Sequence, residues 1–213
     1  MLENITVTYY QVREAWDSGG LKSVFLPRVF RDRIATPVEM DLSLPITIPK
    51  HLIQNYEFIE LNMDDLRARK WSFAIRSRYF KTIRNLKKGW RSFAIVEDDL
   101  IVGDVWCDSL SGPENIVAHP DLKMLGINCK EKEVYAFDML IASQYRGKNF
   151  AVPLQRFLHL SLKNEGFRKV YGFYWNDNLP ALWMHRMLKY RELPKRNLSR
   201  FFFLHKYTNA DFV

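Results

Sequence analysis

Between Glu133 and Ala142 the chain is almost continuously apolar, interrupted by a single carboxylate, Asp138. A short basic turn follows, and then Ala151–Gly166, the clearest helix in the sequence. Leu154, Phe157, Leu158, Leu160 and Leu162 form its broad apolar stripe, and Gly166 stops it. Val170–Trp175 reads as a second strand. This strand–helix–strand order constrains the chain more than any other feature. Two strands joined by a helix are expected to be parallel neighbours, with a right-handed crossover.

The junction Gln144–Ala151 has a chemistry of its own. The first amides of a helix have no partners within it, and with the helix dipole they form an anion site. Gly147 permits close backbone approach and unusual dihedrals, and Arg146 and Lys148 add positive charge. Physically this is a cradle for a pyrophosphate. Taken alone, the turn reads equally well as an ordinary connection with exposed basic residues.

The elements around it are shorter. Tyr56–Leu61 alternates like a strand, and Asn62 or Asp64 can cap a helix over Asp65–Trp71. Ser77–Lys88 has helical spacing at Tyr79, Ile83 and Leu86, and Gly89 ends it. Phe93–Val96 and Leu100–Trp106 form a hairpin around Glu97-Asp98-Asp99. Residues 108–132 read as a long polar connection, which in a compact domain is functional or poorly ordered. Asn178 can cap a helix over Leu179–Tyr190, and Phe201–Tyr207 reads as a last strand. Toward the N-terminus, Ile5–Tyr10 reads as a short strand, 16–34 as one or two basic amphipathic helices, and 35–50 as a proline-rich extended linker. The expected division is an extension over 1–55, packed on or beside a main domain over 56–213.

The junction resembles the GNAT acetyltransferase superfamily. That signature is Arg or Gln, two residues, Gly, one residue, then Gly or Ala, and here it reads Arg146-Gly147-Lys148-Asn149-Phe150-Ala151. Asn149 stands at the central glycine; Asn is among the residues that best tolerate positive φ. Asp138-Met139-Leu140-Ile141 before Tyr145-Arg146-Gly147-Lys148, the hairpin segment Ile101-Val102-Gly103, and Asn178-Leu179-Pro180-Ala181 opening a helix are similar to further family elements, in the same order. The resemblance covers roughly 56–207. It implies an α/β (α+β) fold: a mixed, mostly antiparallel central sheet flanked by helices, with a βαβ cofactor-binding unit.

The resemblance also implies direct transfer of an acyl group from acetyl-CoA, or another acyl-CoA, to an amine, with no metal and no side-chain nucleophile. Arg146, Gly147, Lys148, Asn149, Phe150 and Ala151 would bind the phosphates. The backbone of Met139, Leu140 and Ile141 would line the pantetheine arm and supply an oxyanion donor, and Asn178 would lie near that arm. Asp138 is the expected base, because burial in an apolar strand should raise its pKa; it reads equally as a residue that shapes the strand. Glu131 and Glu133 are weaker alternatives. His185 stands where the family often has a tyrosine that protonates the leaving thiolate; a lone helical histidine is more often a packing residue.

Composition adds limits. A formal net charge of +8 can attract nucleic acid, anionic lipid or an anionic cofactor, but the charges are scattered and no nucleic-acid motif accompanies them. The stretch 16–34 keeps a peripheral membrane contact open. Cys107 and Cys129 have neither metal-ligand nor disulfide-framework spacing, and the start lacks a signal-peptide pattern, so a cytoplasmic setting is expected. A dimer is compatible with the sequence. The competing readings are a longer-chain acyltransferase and a non-catalytic acyl-CoA-binding module.

Overall fold

The computed structural model describes residues 2–17, 30–48, 56–109, 119–201 and 204–210. Helix α1 (Leu2–Asp17) and strand β1 (Phe30–Asp41) come first. Strand β2 (Glu57–Leu61), the helical turn α2 (Met63–Arg67), β3 (Ser72–Phe73) and helix α3 (Arg76–Leu86) lead to the hairpin β4 (Arg91–Glu97) and β5 (Leu100–Ser109). Then follow α4 (Asp121–Leu125), β6 (Glu133–Ile141), helix α5 (Ala151–Asn164), β7 (Lys169–Trp175), helix α6 (Leu179–Met187) and β8 (Arg191–Glu192). A second hairpin, β9 (Arg196–Phe201) and β10 (Leu204–Asn209), completes the order.

Among the described residues all ten strands join one sheet, along the path β10-β9-β1-β7-β6-β5-β4-β2, with β3 beside β5 and β8 beside β1. The pairs β6–β7 and β3–β5 are parallel; the rest are antiparallel. The expected fold class is therefore what the chain adopts, including parallel β6 and β7 joined through α5. Leu154, Leu158 and Leu162 of α5 are completely buried against Val38, Phe93, Ile95 and Val170 on one face of the sheet. Burial on this scale is worth about 1.5–3 kcal/mol per side chain. On the other face Trp90, Trp106, Tyr135 and Phe137 pack with Leu122 and Leu125 of α4.

Several expectations from sequence are corrected. Ile5–Tyr10 is helical, within α1. Val7 is buried and Tyr10 stacks on Phe80 of α3 at 4.7 Å, while Ile5 and Tyr9 stay exposed. Tertiary contact overrides propensity here. The linker over 35–50 begins as strand, residues 35–41 lying in β1, while 42–48 are irregular. β1 lies inside the sheet between β7 and β9, so strands before and after residue 55 share one sheet. Pro37 is tolerated there for a reason visible in the register. Its carbonyl accepts from the Leu193 amide, and its missing N–H falls at the seam where pairing passes from β9 (Ala35 opposite Arg196) to β8 (Val38 opposite Glu192). Of the amphipathic stretch 16–34, residues 18–29 lie outside the described residues and 30–34 begin β1. α6 ends at Met187 rather than Tyr190, with Lys189 at φ +61°. The expected last strand is divided between β9, which ends at Phe201, and β10, which begins at Leu204; 202–203 lie outside the described residues. Within 108–132, residues 121–125 form α4, and 110–118 lie outside the described residues. No described helix is long and apolar enough to cross a membrane.

Candidate functional site

β6 and β7 pair as neighbours over only three positions, from Glu133 opposite Lys169 to Tyr135 opposite Tyr171. Both strands continue, to Ile141 and Trp175, but make no further ladder pairs with each other. The parting is fixed by two local features. In β6 two residues, Asp138 and Met139, face the single Val105 of β5, a bulge that re-aims the strand, and Asp138 takes a left-handed φ of +52°. In β7 the residue at the fork is Gly172. A Cβ there would lie 3.4 Å from the Ala136 carbonyl oxygen and 3.8 Å from His185 Nε2. The opening is part of a cavity of about 980 Å³, at the upper end of the range for small-molecule sites. Met139, Leu140, Ile141, Arg146, Gly147, Asn149, Phe150, Ala151 and Asn178 all line it, as do Asp138 and His185.

At one end of the cavity lies the turn into α5. Gly147 and Asn149 both have left-handed φ, +83° and +58°, so Asn149 adopts the conformation expected of it. Phe150 is the cap of α5 and makes no side-chain capping bond, leaving the first amides of the helix open to an anion. The turn is braced from below. Phe150 is buried edge-on against Tyr56 at 4.5 Å, and the Tyr145 hydroxyl donates to Glu97 at 2.6 Å. Arg146 Nε donates to the Ile141 carbonyl at 3.2 Å. Lys148 lies outside the cavity lining; its ammonium sits 4.8 Å over the Tyr145 ring and within 3.4 Å of the Tyr56 hydroxyl.

Asp138 differs from expectation in its electrostatics. Arg78 Nη1 reaches its Oδ2 at 2.8 Å, Lys81 Nζ at 2.5 Å, and Arg78 Nη2 donates to its carbonyl oxygen at 3.0 Å. Burial alone would push the carboxyl up, but the guanidinium and ammonium beside it more than offset that and hold it below the usual carboxylate range. The expected raised pKa is thus corrected: the cations on α3, a helix read only as amphipathic, were not foreseen. Arg78 also pairs with the buried Asp104, so one guanidinium ties β5, the β6 bulge and α3 together. Glu14 of α1 in turn accepts from the amide of Ser77 at 2.8 Å and from its hydroxyl at 2.6 Å, at the start of α3.

The rear wall comes from α5 and α6. Asn178 caps α6, its side chain accepting from the Ala181 amide at 3.3 Å. His185 is buried, and its Nδ1–H donates to the Ala181 carbonyl at 2.7 Å. Burial holds the ring below the ordinary histidine value, only partly offset by that carbonyl. His185 therefore presents a neutral imidazole whose Nδ1–H is committed to the Ala181 carbonyl. Tyr190 lines the cavity behind it and shares a 2.7 Å hydrogen bond with His159.

The front wall carries residues that sequence reading missed. Lys81 and Arg84 project from α3, and His119 and Asp121 come from the long connection before β6. Its length was the one available signal, and it pointed to function without naming residues.

No protein-family profile and no curated protein matches the chain by sequence. Solved structures do match. A GCN5-related glucosamine N-acetyltransferase region of a fungal multi-domain GH3 β-N-acetylglucosaminidase superposes with a TM-score of 0.59 at 15% identity, over 90% of this chain and 23% of that one. A GCN5-related N-acetyltransferase from Sphaerobacter thermophilus gives 0.54 at 13%, over 91% and 58%. A tandem GNAT protein from the clavulanic acid biosynthesis pathway gives 0.53 at 13%, over 92% and 59%. The chain thus spans less than two thirds of the length of each of these three. The chain has the fold of the GNAT acetyltransferases.

Proposed function

We propose that the chain is an acyl-CoA-dependent N-acyltransferase that transfers an acyl group, acetyl in the simplest case, directly to an amine. The observation that carries this is the wedge between β6 and β7, with uncapped helix amides and two left-handed residues at its mouth. The amides of α5 and the Gly147–Asn149 backbone suit the phosphates of CoA, with Arg146 and Lys148 adding charge. Along Met139, Leu140 and Ile141 the edge of β6 towards β7, which makes no ladder pairs there, offers hydrogen bonds to the pantetheine amides and, at the bulge, a donor to the thioester oxygen as it becomes charged. Asn178 and His185 contribute the rear wall, His185 as an acceptor. Asp138 fixes the bulge through Arg78 and Lys81. Holding amine and thioester together supplies much of the rate. A glucosamine acetyltransferase region among the matching structures supports an amine as acceptor.

A non-catalytic acyl-CoA-binding module is the second reading. It is favoured by His185, whose only N–H is committed to Ala181, leaving no side-chain acid identified for the departing thiolate. Two measurements test these readings. CoA at millimolar concentration should raise the melting temperature. Acetyl-CoA with a panel of primary amines (ethanolamine, spermidine, glucosamine and a lysine peptide) should release free thiol above background. A thermal shift without thiol release would select the binding module; no shift would remove the cofactor site altogether.

A further inference from the structure

We propose that the amine acceptor also carries an anionic group, a carboxylate or a phosphate, held on the front wall of the cavity by Arg84 and by the Nε2–H of His119. This names the class of acceptor and rests on the acyltransferase reading above.

The cations of this wall form a row. Lys81 and Arg84 lie three residues apart on one face of α3 and both line the cavity; Lys88 follows four residues on, just past the helix end. α3 itself contains no acidic residue. Lys81 is engaged with Asp138 at 2.5 Å, and Arg78 is shared between Asp138 and the buried Asp104, so two cations there meet two carboxylates. Arg84 stands about one turn further along. Its Nε and Nη2 donate to Asn85 Oδ1 at 3.2 and 3.1 Å, and its Nη1 to Asn4 Oδ1 at 3.2 Å. These partners are neutral amides, which fix the guanidinium without cancelling its charge. Burial and the neighbouring Arg84 charge lower the pKa of Lys88, so the row crowds positive charge in a way that an anion relieves.

His119 adds a directional donor. The Asp121 amide donates to Nδ1 at 3.3 Å, so the neutral ring carries its proton on Nε2. The ring is fixed 4.2 Å from Phe137 and 4.8 Å from Trp90, centroid to centroid, and Lys88 Nζ sits 4.5 Å over that same indole. His119 lines the cavity, yet its Nε2–H has no partner among the described residues. A largely buried donor left unmatched is costly, and a ligand oxygen would satisfy it. Nε2 donates whether the ring is neutral or protonated, so the contact does not depend on titration. A carboxylate or phosphate accepts from a guanidinium and an imidazole N–H together. Asp121 lines the same wall, accepts from the Tyr135 hydroxyl at 3.2 Å, and has no lysine or arginine in salt-bridge range among the described residues. It suits the ammonium end of the same molecule. An acceptor of both signs matches this wall, and a polycation does not.

The test follows free thiol release from acetyl-CoA by the whole chain with paired amines that differ in one charge. β-Alanine against β-alaninamide probes a carboxylate, and O-phosphoethanolamine against ethanolamine probes a phosphate. At neutral pH the anionic member of at least one pair should have the higher kcat/KM, by about 10–100-fold, the span of a hydrogen bond to a charged group. The pair that shows the preference tells carboxylate from phosphate. β-Alaninamide is the weaker base and more of it is unprotonated at neutral pH, so a preference for β-alanine runs against solution reactivity. Arg84→Gln and His119→Phe should each shrink the ratio about tenfold, mainly through the KM of the anionic amine. Arg76→Gln removes the same charge from the exposed start of α3, outside the cavity lining, and should leave the ratio in place. Equal or reversed rates in both pairs, or an equal loss in Arg76→Gln, would overturn the assignment, while thiol release itself keeps the acyltransferase reading standing. No thiol release from any amine would end that reading, and this one with it.

Discussion

Gly147 and Asn149 take the same left-handed backbone for different sequence reasons. A Cβ added at Gly147 would meet nothing within 4 Å, so space is not the constraint there; the φ of +83° is. An ordinary L-residue in that region costs about 1–2 kcal/mol, and a β-branched one more. Gly147→Val should therefore relax the turn out of its cradle and lose most of the CoA thermal shift, while the unliganded melting temperature drops by only a few degrees. Asn149→Gly should keep the shift or enlarge it, since glycine reaches the observed φ of +58° without strain. If Asn149→Gly abolished the shift, the asparagine side chain would itself be a ligand contact. The same turn shows what a motif conveys. Arg146–Ala151 was legible because backbone demands map onto residue types, glycine and asparagine above all. The partners of Asp138 were not legible, because Arg78 and Lys81 lie some sixty positions away, on a helix whose apolar spacing carries no sign of a partner.

At the level of elements, the wedge depends on β7 having no side chain at its fork. A methyl group at Gly172 would sit at ordinary contact distance from Ala136 and His185, whereas the branches of valine would enter the opening. Gly172→Ala should retain the CoA thermal shift and Gly172→Val should lose it, with both unliganded proteins at least as stable as wild type, since alanine and valine suit a strand better than glycine. An unaltered shift in the valine variant would mean that the cofactor does not pass between β6 and β7. β6, α5 and β7 were readable because each has a long, unmixed periodicity and a glycine or polar stop. α1 and β1 were not. The first carries strand-forming residues whose helix is stabilised by α3, and the second carries a proline that only the seam between β8 and β9 makes acceptable. In both, the deciding partner is remote in sequence.

Across the whole molecule, histidines His119, His159 and His185 are all held neutral by burial. His159, completely buried with Nδ1 unpartnered among the described residues, is pushed from 6.5 down to about 3. The unfolded chain binds a proton at this residue once pH falls below 6.5, and the native state does not until about 3. The stability it contributes is therefore complete above the higher value and declines as pH falls between the two, by up to about 1.4 kcal/mol per pH unit. His159→Gln costs stability at neutral pH, yet its urea-unfolding free energy should fall less steeply than wild type from pH 6 to pH 4. Parallel curves would show that His159 is protonated in the native state.

β1 carries one more implication, for the order of events in folding. It pairs with β7 and β9, and the Thr36 hydroxyl donates to Asn176 across a sequence separation of 140 residues. Such pairing closes a very long loop before it brings any contact energy, which slows the search. During synthesis β1 emerges long before β7 and β9, its two flanking strands. A half-apolar strand must wait, unpaired on both edges, until those strands have been made. That interval is when the chain is most exposed to mispairing with other copies of itself, and when a chaperone that holds extended segments has the most to offer it.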